Sequence, residues 1–163
     1  MMKTNHAHVC FDACSENEGF ARMVVMGFMM EMNPTMDELQ DVKTAVSEAV
    51  TNAIIHGYGA VNEDKEVQLK CAQVEMTCIR EGEKLIVSVE DHGVGITDVE
   101  EARQPFFTTK PNQDRSGMGF AFMESFMDEV EIVSKVNVGT RITMCKYIGK
   151  EESCVQEKGE RNV

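Results

Sequence analysis

Ser47-Glu48-Ala49-Val50-Thr51-Asn52-Ala53-Ile54-Ile55-His56-Gly57 is the stretch whose reading decides the fold. Leu39, Val42, Val46, Ala49/Val50 and Ala53/Ile54 recur at helical period, which predicts a helix with one buried stripe. Glu48 and Asn52 stand four residues apart, so both side chains leave the helix on one side, off that stripe. Upstream, Thr35-Met36-Asp37-Glu38 is a capping box that starts the helix. Downstream, Gly57 and Gly59 supply its stop.

Two glycine loops follow. Asp91-His92-Gly93-Val94-Gly95 closes a β-branched strand, Ile86–Val89. A carboxylate at a strand end beside open backbone suits the exocyclic amine of adenine, and Gly93 and Gly95 allow close approach. An ordinary strand-to-helix turn uses the same residues. Arg115-Ser116-Gly117-Met118-Gly119-Phe120 puts glycines and a hydroxyl at a helix start, where unpaired N–H groups and the helix dipole attract phosphate. Lys110 and Arg115 add positive charge, and Thr108 and Thr109 add hydroxyls from the same loop. Thr140, after Gly139, either closes a hairpin or backs Asp91 at the base. A polar pair on an apolar helix followed by two glycine loops predicts a nucleotide site, with Asn52 offering a hard oxygen suited to Mg2+ and Glu48 a carboxylate able to accept a proton.

Around this centre, His8–Ala13 reads as a short strand, and Ser15-Glu16-Asn17-Glu18 as a capping box in which Ser15 accepts from an early backbone N–H. The helix behind it stops near Asn33-Pro34. Glu66–Ile79 and Lys84–Glu90 read as strands joined at Glu81-Gly82-Glu83, and Thr97–Arg103 as a short helix. Gln104–Ser116 reads as a mobile loop. A helix runs from about Gly117–Gly119 to Met127, then strands Glu129–Val136 and Thr140–Ile148 close the domain across Asn137-Val138-Gly139. Residues 1–148 make one domain, and the charged tail 149–163 reads as disordered. The order predicts an α+β, two-layer sandwich with helices over one face of a mixed, mainly antiparallel sheet.

The 163 residues carry a formal charge of −12, which argues against a nucleic-acid surface. No apolar run approaches the roughly 20 residues of a membrane span and no signal-peptide core follows Met1, so the expected setting is cytoplasmic. Six cysteines show no Cys-x2-Cys pair and read as free thiols. His6-x-His8-x-Cys10-x3-Cys14 has zinc-capable side chains, but strand alternation explains the histidines as well. Met26, Met29, Met30 and Met32 around Phe28 suit a groove or a packed core, and Met fills uneven gaps. P-loop and eukaryotic-type kinase signatures are absent.

Taken together these motifs resemble the GHKL ATPase/kinase superfamily with its Bergerat nucleotide-binding fold, and within it the sporulation anti-sigma serine kinases. The likeness runs over about His8–Ile148 and is carried by Met36–Leu39, Val46–Tyr58, Glu101–Pro105, Phe107–Pro111 and Arg115–Phe120. It implies ATP/ADP and Mg2+ as ligands, with Asn52 on the metal and Glu48 as general base. It further implies Asp91, Gly93 and Gly95 at adenine, and a phosphate lid made of Thr108 to Lys110 and Arg115 to Gly119. Arg22 matches a position that meets both protein partners, a sigma factor of the sporulation type and an anti-anti-sigma protein phosphorylated on serine. Members of the family are homodimers. The strand pair at Val67–Lys84 is longer than in the family, the acidic tail is extra, and His92 stands where an acid is common. A general-stress anti-sigma kinase is the nearest alternative. The catalytic domain of a histidine kinase would need a dimerisation helix pair, for which Met1–Asn33 is too short. A non-catalytic, ATP-gated binding module would need no Glu48.

Overall fold

A computed structural model describes residues 3–59, 72–105 and 118–149. Strand β1 (Thr4–Asp12) leads into helix α1 (Glu16–Met29), a 3-10 turn (Met30–Met32) and helix α2 (Met36–Asn52), which continues as a π-helix (Ala53–Tyr58). Strands β2 (Gln73–Glu81) and β3 (Lys84–Asp91), the short helix α3 (Val99–Ala102), helix α4 (Gly119–Phe126) and strands β4 (Glu129–Lys135) and β5 (Gly139–Tyr147) follow.

The strands form one sheet in the order β1-β2-β3-β5-β4, and every neighbouring pair is antiparallel. The expected α+β sandwich is therefore present, but the sheet is antiparallel throughout rather than mixed. The reason lies in the connection: the helical excursion after β3 returns into edge strand β4, and β5 then folds back between β4 and β3. β3 and β4 thus run the same way without ever being hydrogen-bonded neighbours.

Strand alternation decides which face is covered. Leu85, Val87 and Val89 of β3 are buried, as are Val74, Met76 and Cys78 of β2 and Ile142 and Met144 of β5. Against them lie Ala21, Val25 and Met29 of α1, Val42, Ala45, Val46, Ala49 and Val50 of α2, and Met123 of α4. Each fully buried aliphatic side chain contributes about 1.5–3 kcal/mol, so this seam is what holds the two layers together. Met29 and Met32 belong to it, while Met30 is exposed, which favours the packed-core reading of the methionine cluster.

Local signals held unevenly. Thr35 accepts from the Glu38 N–H at 3.1 Å and Glu38 accepts from the Thr35 N–H at 2.8 Å, the full capping box. Ser15 does not cap α1. Its backbone is already helical (φ −61°, ψ −29°), which turns the hydroxyl away from the first-turn N–H groups. Asn17 instead donates to the Asp12 carbonyl at 2.9 Å. The first strand starts at Thr4, earlier than its own hydropathy indicates, because it pairs along its whole length with β2, from Thr4↔Glu81 to Asp12↔Gln73. The expected stretch 66–71, most of the loop 104–116 and the tail beyond Gly149 lie outside the described residues. Among the described residues Cys10, Cys14, Cys78 and Cys145 are free, and burial pushes the Cys78 thiol up to about 12. No group of three or more His, Cys, Asp or Glu side chains gathers there as a metal cluster, and no helix is long and apolar enough to cross a membrane.

Candidate functional site

Glu48 and Asn52 occupy the last turns of α2, both half-buried. Beyond Asn52 the helix widens into the π-helix, and Gly57 is not a stop: the helical path continues to Tyr58, and Gly59 stays right-handed at φ −70°. Hydrogen bonds in a π-helix run from i to i+5, which brings Gly57 round beneath Asn52. A side chain begun at Gly57 would lie 2.8 Å from Cγ and Oδ1 of Asp91. One continuous helical rod thus carries Glu48, Asn52 and the residue that abuts Asp91.

Asp91 continues the buried phase of β3, so its carboxyl lies on the helix-covered side of the sheet and is only 5% exposed. Loss of solvent raises its pKa above the ordinary carboxylate value, opposed by main-chain hydrogen bonds from Gly93 and Thr140. The Gly93 N–H reaches Oδ1 at 2.9 Å. The loop after it is fastened on several sides. Val94 N–H donates to the Gly57 carbonyl at 3.0 Å, and Asn137 N–H to the Val94 carbonyl at 2.8 Å. The Tyr58 hydroxyl accepts from the His92 N–H at 2.9 Å and donates to the Gln73 carbonyl at 2.6 Å. Glycine is required by contact: a Cβ on Gly93 would sit 2.0 Å from the Gly57 oxygen, and one on Gly139 would sit 2.0 Å from the Asp91 oxygen. Gly95 adds a left-handed φ of 73° against the Lys135 carbonyl.

Thr140 pairs with Asp91 across β3 and β5. Its buried hydroxyl shares a 2.8 Å hydrogen bond with Ser134 Oγ, so its link to Asp91 runs through the main chain. His92 points to the outer face, where Nε2 meets Glu75 Oε1 at 2.9 Å. At the other end of the site, Met118 is the N-cap of α4 and Gly119 its first residue. A Cβ on Gly119 would lie 3.0 Å from Glu48 Oε2 and 3.4 Å from Asn52 Nδ2. The start of α4, with its unpaired first-turn N–H groups, therefore faces the Glu48–Asn52 pair. Thr108, Thr109, Lys110, Arg115, Ser116 and Gly117 lie outside the described residues. Arg22 is separate from this cluster, on α1, in an ion pair with Glu18.

Gly57, Tyr58, Ser134 and Gly139 belong to the same architecture, although the motifs marked Gly57 and Gly139 only as turn formers. The roles of Gly57, Tyr58 and Gly139 depend on contacts with Asp91 and His92, far away in sequence, and that of Ser134 on the Ile96 N–H and the Thr140 hydroxyl. The quoted match up to Tyr58 was the one available signal.

Comparisons with known proteins give the family and the fold. Residues 12–146 match the family model described as histidine kinase-like ATPase domain. The chain is 52% identical over 149 residues to an anti-sigma F factor of Anoxybacillus flavithermus, and 49% identical to that of Bacillus subtilis, covering 91% of this chain and 97% of each relative. Among solved structures, the RsbU and RsbW domains of Rv1364c from Mycobacterium tuberculosis superpose with a TM-score of 0.58 at 22% identity, over 88% of this chain and 32% of that one. The catalytic domain of the histidine kinase ThkA gives 0.52 at 19% identity, over 87% and 96%. At those identities the two structures speak for the fold alone. The chain belongs to the anti-sigma F factor family, within the histidine kinase-like (GHKL) ATPases.

Proposed function

We propose that this protein holds a sigma factor of the sporulation type and, as an ATP-dependent protein-serine kinase, phosphorylates the anti-anti-sigma protein that would release it. The observation that carries the reading is the convergence on one helical rod. Glu48 and Asn52 face the start of α4, and Gly57, one turn on, abuts the buried carboxyl of Asp91. The names of the anti-sigma F relatives support the sigma-binding half.

The residues suit a purine nucleotide. Asp91 offers an acceptor to an exocyclic amine, on a carboxyl held in place by the close backbone packing at Gly57, Gly93 and Gly139. The Asn52 amide oxygen is a hard donor of the kind Mg2+ takes alongside phosphates and water. When bound, the metal supplies charge neutralisation at the phosphates. The first-turn N–H groups of α4 add donors where negative charge concentrates. Glu48 takes the proton of the partner's serine hydroxyl as that oxygen bonds to the γ-phosphorus and the bond to the departing ADP oxygen breaks. Positioning and electrostatics account for most of the acceleration. A nucleotide-gated module without chemistry would need no base; Glu48 beside Gly119 speaks for catalysis.

Purified protein incubated with labelled ATP, Mg2+ and a candidate anti-anti-sigma protein should place label on a serine of that protein. Glu48→Ala should abolish transfer and keep ADP binding. Absence of label with the native chain, or normal transfer by the variant, would overturn the assignment.

A further inference from the structure

On the helix-covered face of the sheet, β3, β4 and β5 are apolar except in one row. Along β4, Val130 and Ile132 pack against the core, and the next position on that face is Ser134. Along β3, Leu85, Val87 and Val89 are buried and Asp91 follows them. Along β5, Ile142 and Met144 are buried and Thr140 precedes them. The register brings the polar residues together: Ser134 lies opposite Thr140, and Thr140 opposite Asp91. A polar row thus crosses β4, β5 and β3 and ends on the carboxyl proposed to take a purine amine.

Ser134 Oγ makes three hydrogen-bond contacts, and the proton count gives each a direction. The Ile96 N–H can only donate, and it reaches Ser134 Oγ at 2.8 Å. The Gly139 carbonyl can only accept, at 3.2 Å, so the single Ser134 proton points there. The 2.8 Å contact with Thr140 Oγ1 therefore runs from Thr140 to Ser134. Thr140 thus turns its proton away from Asp91, although cross-strand partners on one face stand only about 4.5–5.5 Å apart at Cβ. Ser134 also holds both suppliers of hydrogen bonds to the Asp91 carboxyl. One is the main-chain N–H of Thr140 itself, and the other is that of Gly93, in the loop that Ile96 ends. The β4–β5 turn grips the same loop through Asn137 N–H, which donates to the Val94 carbonyl at 2.8 Å.

We propose that Ser134 is a positioning residue for base recognition: it fixes the loop and the strand that hold the Asp91 carboxyl, and keeps the Thr140 proton from competing with the purine amine for that carboxyl. The proposal rests on the reading of Asp91 as the acceptor for the amine. Its test compares two ligands in the full chain by titration calorimetry: ADP, and purine riboside 5′-diphosphate, which lacks the exocyclic amine. Each is titrated into the native protein and into Ser134→Ala, where the Thr140 proton is free to turn to Asp91. ADP affinity should fall about three- to tenfold, the worth of one hydrogen bond, while affinity for the amine-free nucleotide changes by less than about twofold. A role in stability alone would weaken both ligands equally. Equal losses, or native ADP affinity in Ser134→Ala, overturn the positioning role and leave the reading of Asp91 standing. If Ser134→Ala does not fold, Ser134→Cys, close in shape but a weaker donor and acceptor, should show the same split between the ligands, and an even loss there overturns the role likewise. If the native chain binds both nucleotides with one affinity, the amine reading of Asp91 fails and this role with it. If it binds neither, the proposed function itself fails.

Discussion

Gly57→Ala isolates the contact on which the site is built. Its Cβ would arrive 2.8 Å from Cγ and Oδ1 of Asp91 and 3.1 Å from Oδ2, where ordinary contact begins at 3.4 Å. The carboxyl has to retreat by about 0.6 Å, which carries the 2.9 Å bond from Gly93 N–H to the edge of hydrogen-bond range. Overpacking of this kind costs about 1–3 kcal/mol. Because Gly57 lies in a helical segment, alanine returns roughly 0.5–1 kcal/mol of propensity. The net loss of stability should therefore be modest, at most about 2 kcal/mol. Nucleotide affinity has no such offset. Misplacing one charged hydrogen-bond acceptor removes about 1.5–3 kcal/mol, on the order of a ten- to hundredfold rise in the Kd for ADP. Gly27→Ala is the matched control: it also lies in a helix, nothing stands within 4 Å of its Cβ, and it should stabilise by roughly 0.5–1 kcal/mol with ADP affinity unchanged. Calorimetric ADP titration and denaturant melts measure both quantities. Native ADP affinity in Gly57→Ala would refute the reasoning, since the carboxyl would then not be where recognition occurs.

Tyr58→Phe removes the hydroxyl that joins His92 N–H to the Gln73 carbonyl, leaving a part-buried donor short of its partner. It should cost about 1–3 kcal/mol in denaturant unfolding and raise the ADP Kd; a neutral result in both would show that the loop needs no clamp. Thr35→Ala breaks a complete capping box far from the site and should lose about 0.5–2 kcal/mol with ADP affinity intact. A change in affinity there would mean that α2 transmits strain to its far end. Asp91→Asn tests the raised pKa by its sign. With the folded pKa above the unfolded one, the native carboxyl contributes stability that is full below the ordinary value of 3.8 and is lost as pH rises through the folded pKa. The variant should therefore gain stability relative to the native chain as pH climbs through that window, while losing ADP binding. A relative loss over the same window would contradict the burial argument.

Features whose cause is local could be recognised in the chain. The Thr35 box lies within four residues, and the common side of Glu48 and Asn52 follows from helical spacing alone. The β3 pattern also showed Asp91 at a strand end. It did not show that Asp91 continues the buried phase, because that depends on which face the helices cover. Gly57 looked like a stop because glycine usually ends helices; its actual role is contact with a residue 34 positions on, reached through a π-helix that no composition signal announces. Ser15 failed as a cap because the chain leaving β1 enters α1 already in helical geometry. The antiparallel sheet differs from a mixed one only in where β5 inserts, a matter of long-range pairing. Lid residues 108–110 and 115–117 lie outside the described residues, and their part rests on the glycines, hydroxyls and bases of their own stretch together with the resemblance.

The most direct test of the central claim is a crystal structure of this protein with ADP and Mg2+. The account predicts the adenine amine on the Asp91 carboxylate, the metal on the Asn52 amide oxygen, and phosphates between Asn52 and the start of α4. A nucleotide bound with its base away from Asp91, or a metal held without Asn52, would contradict it.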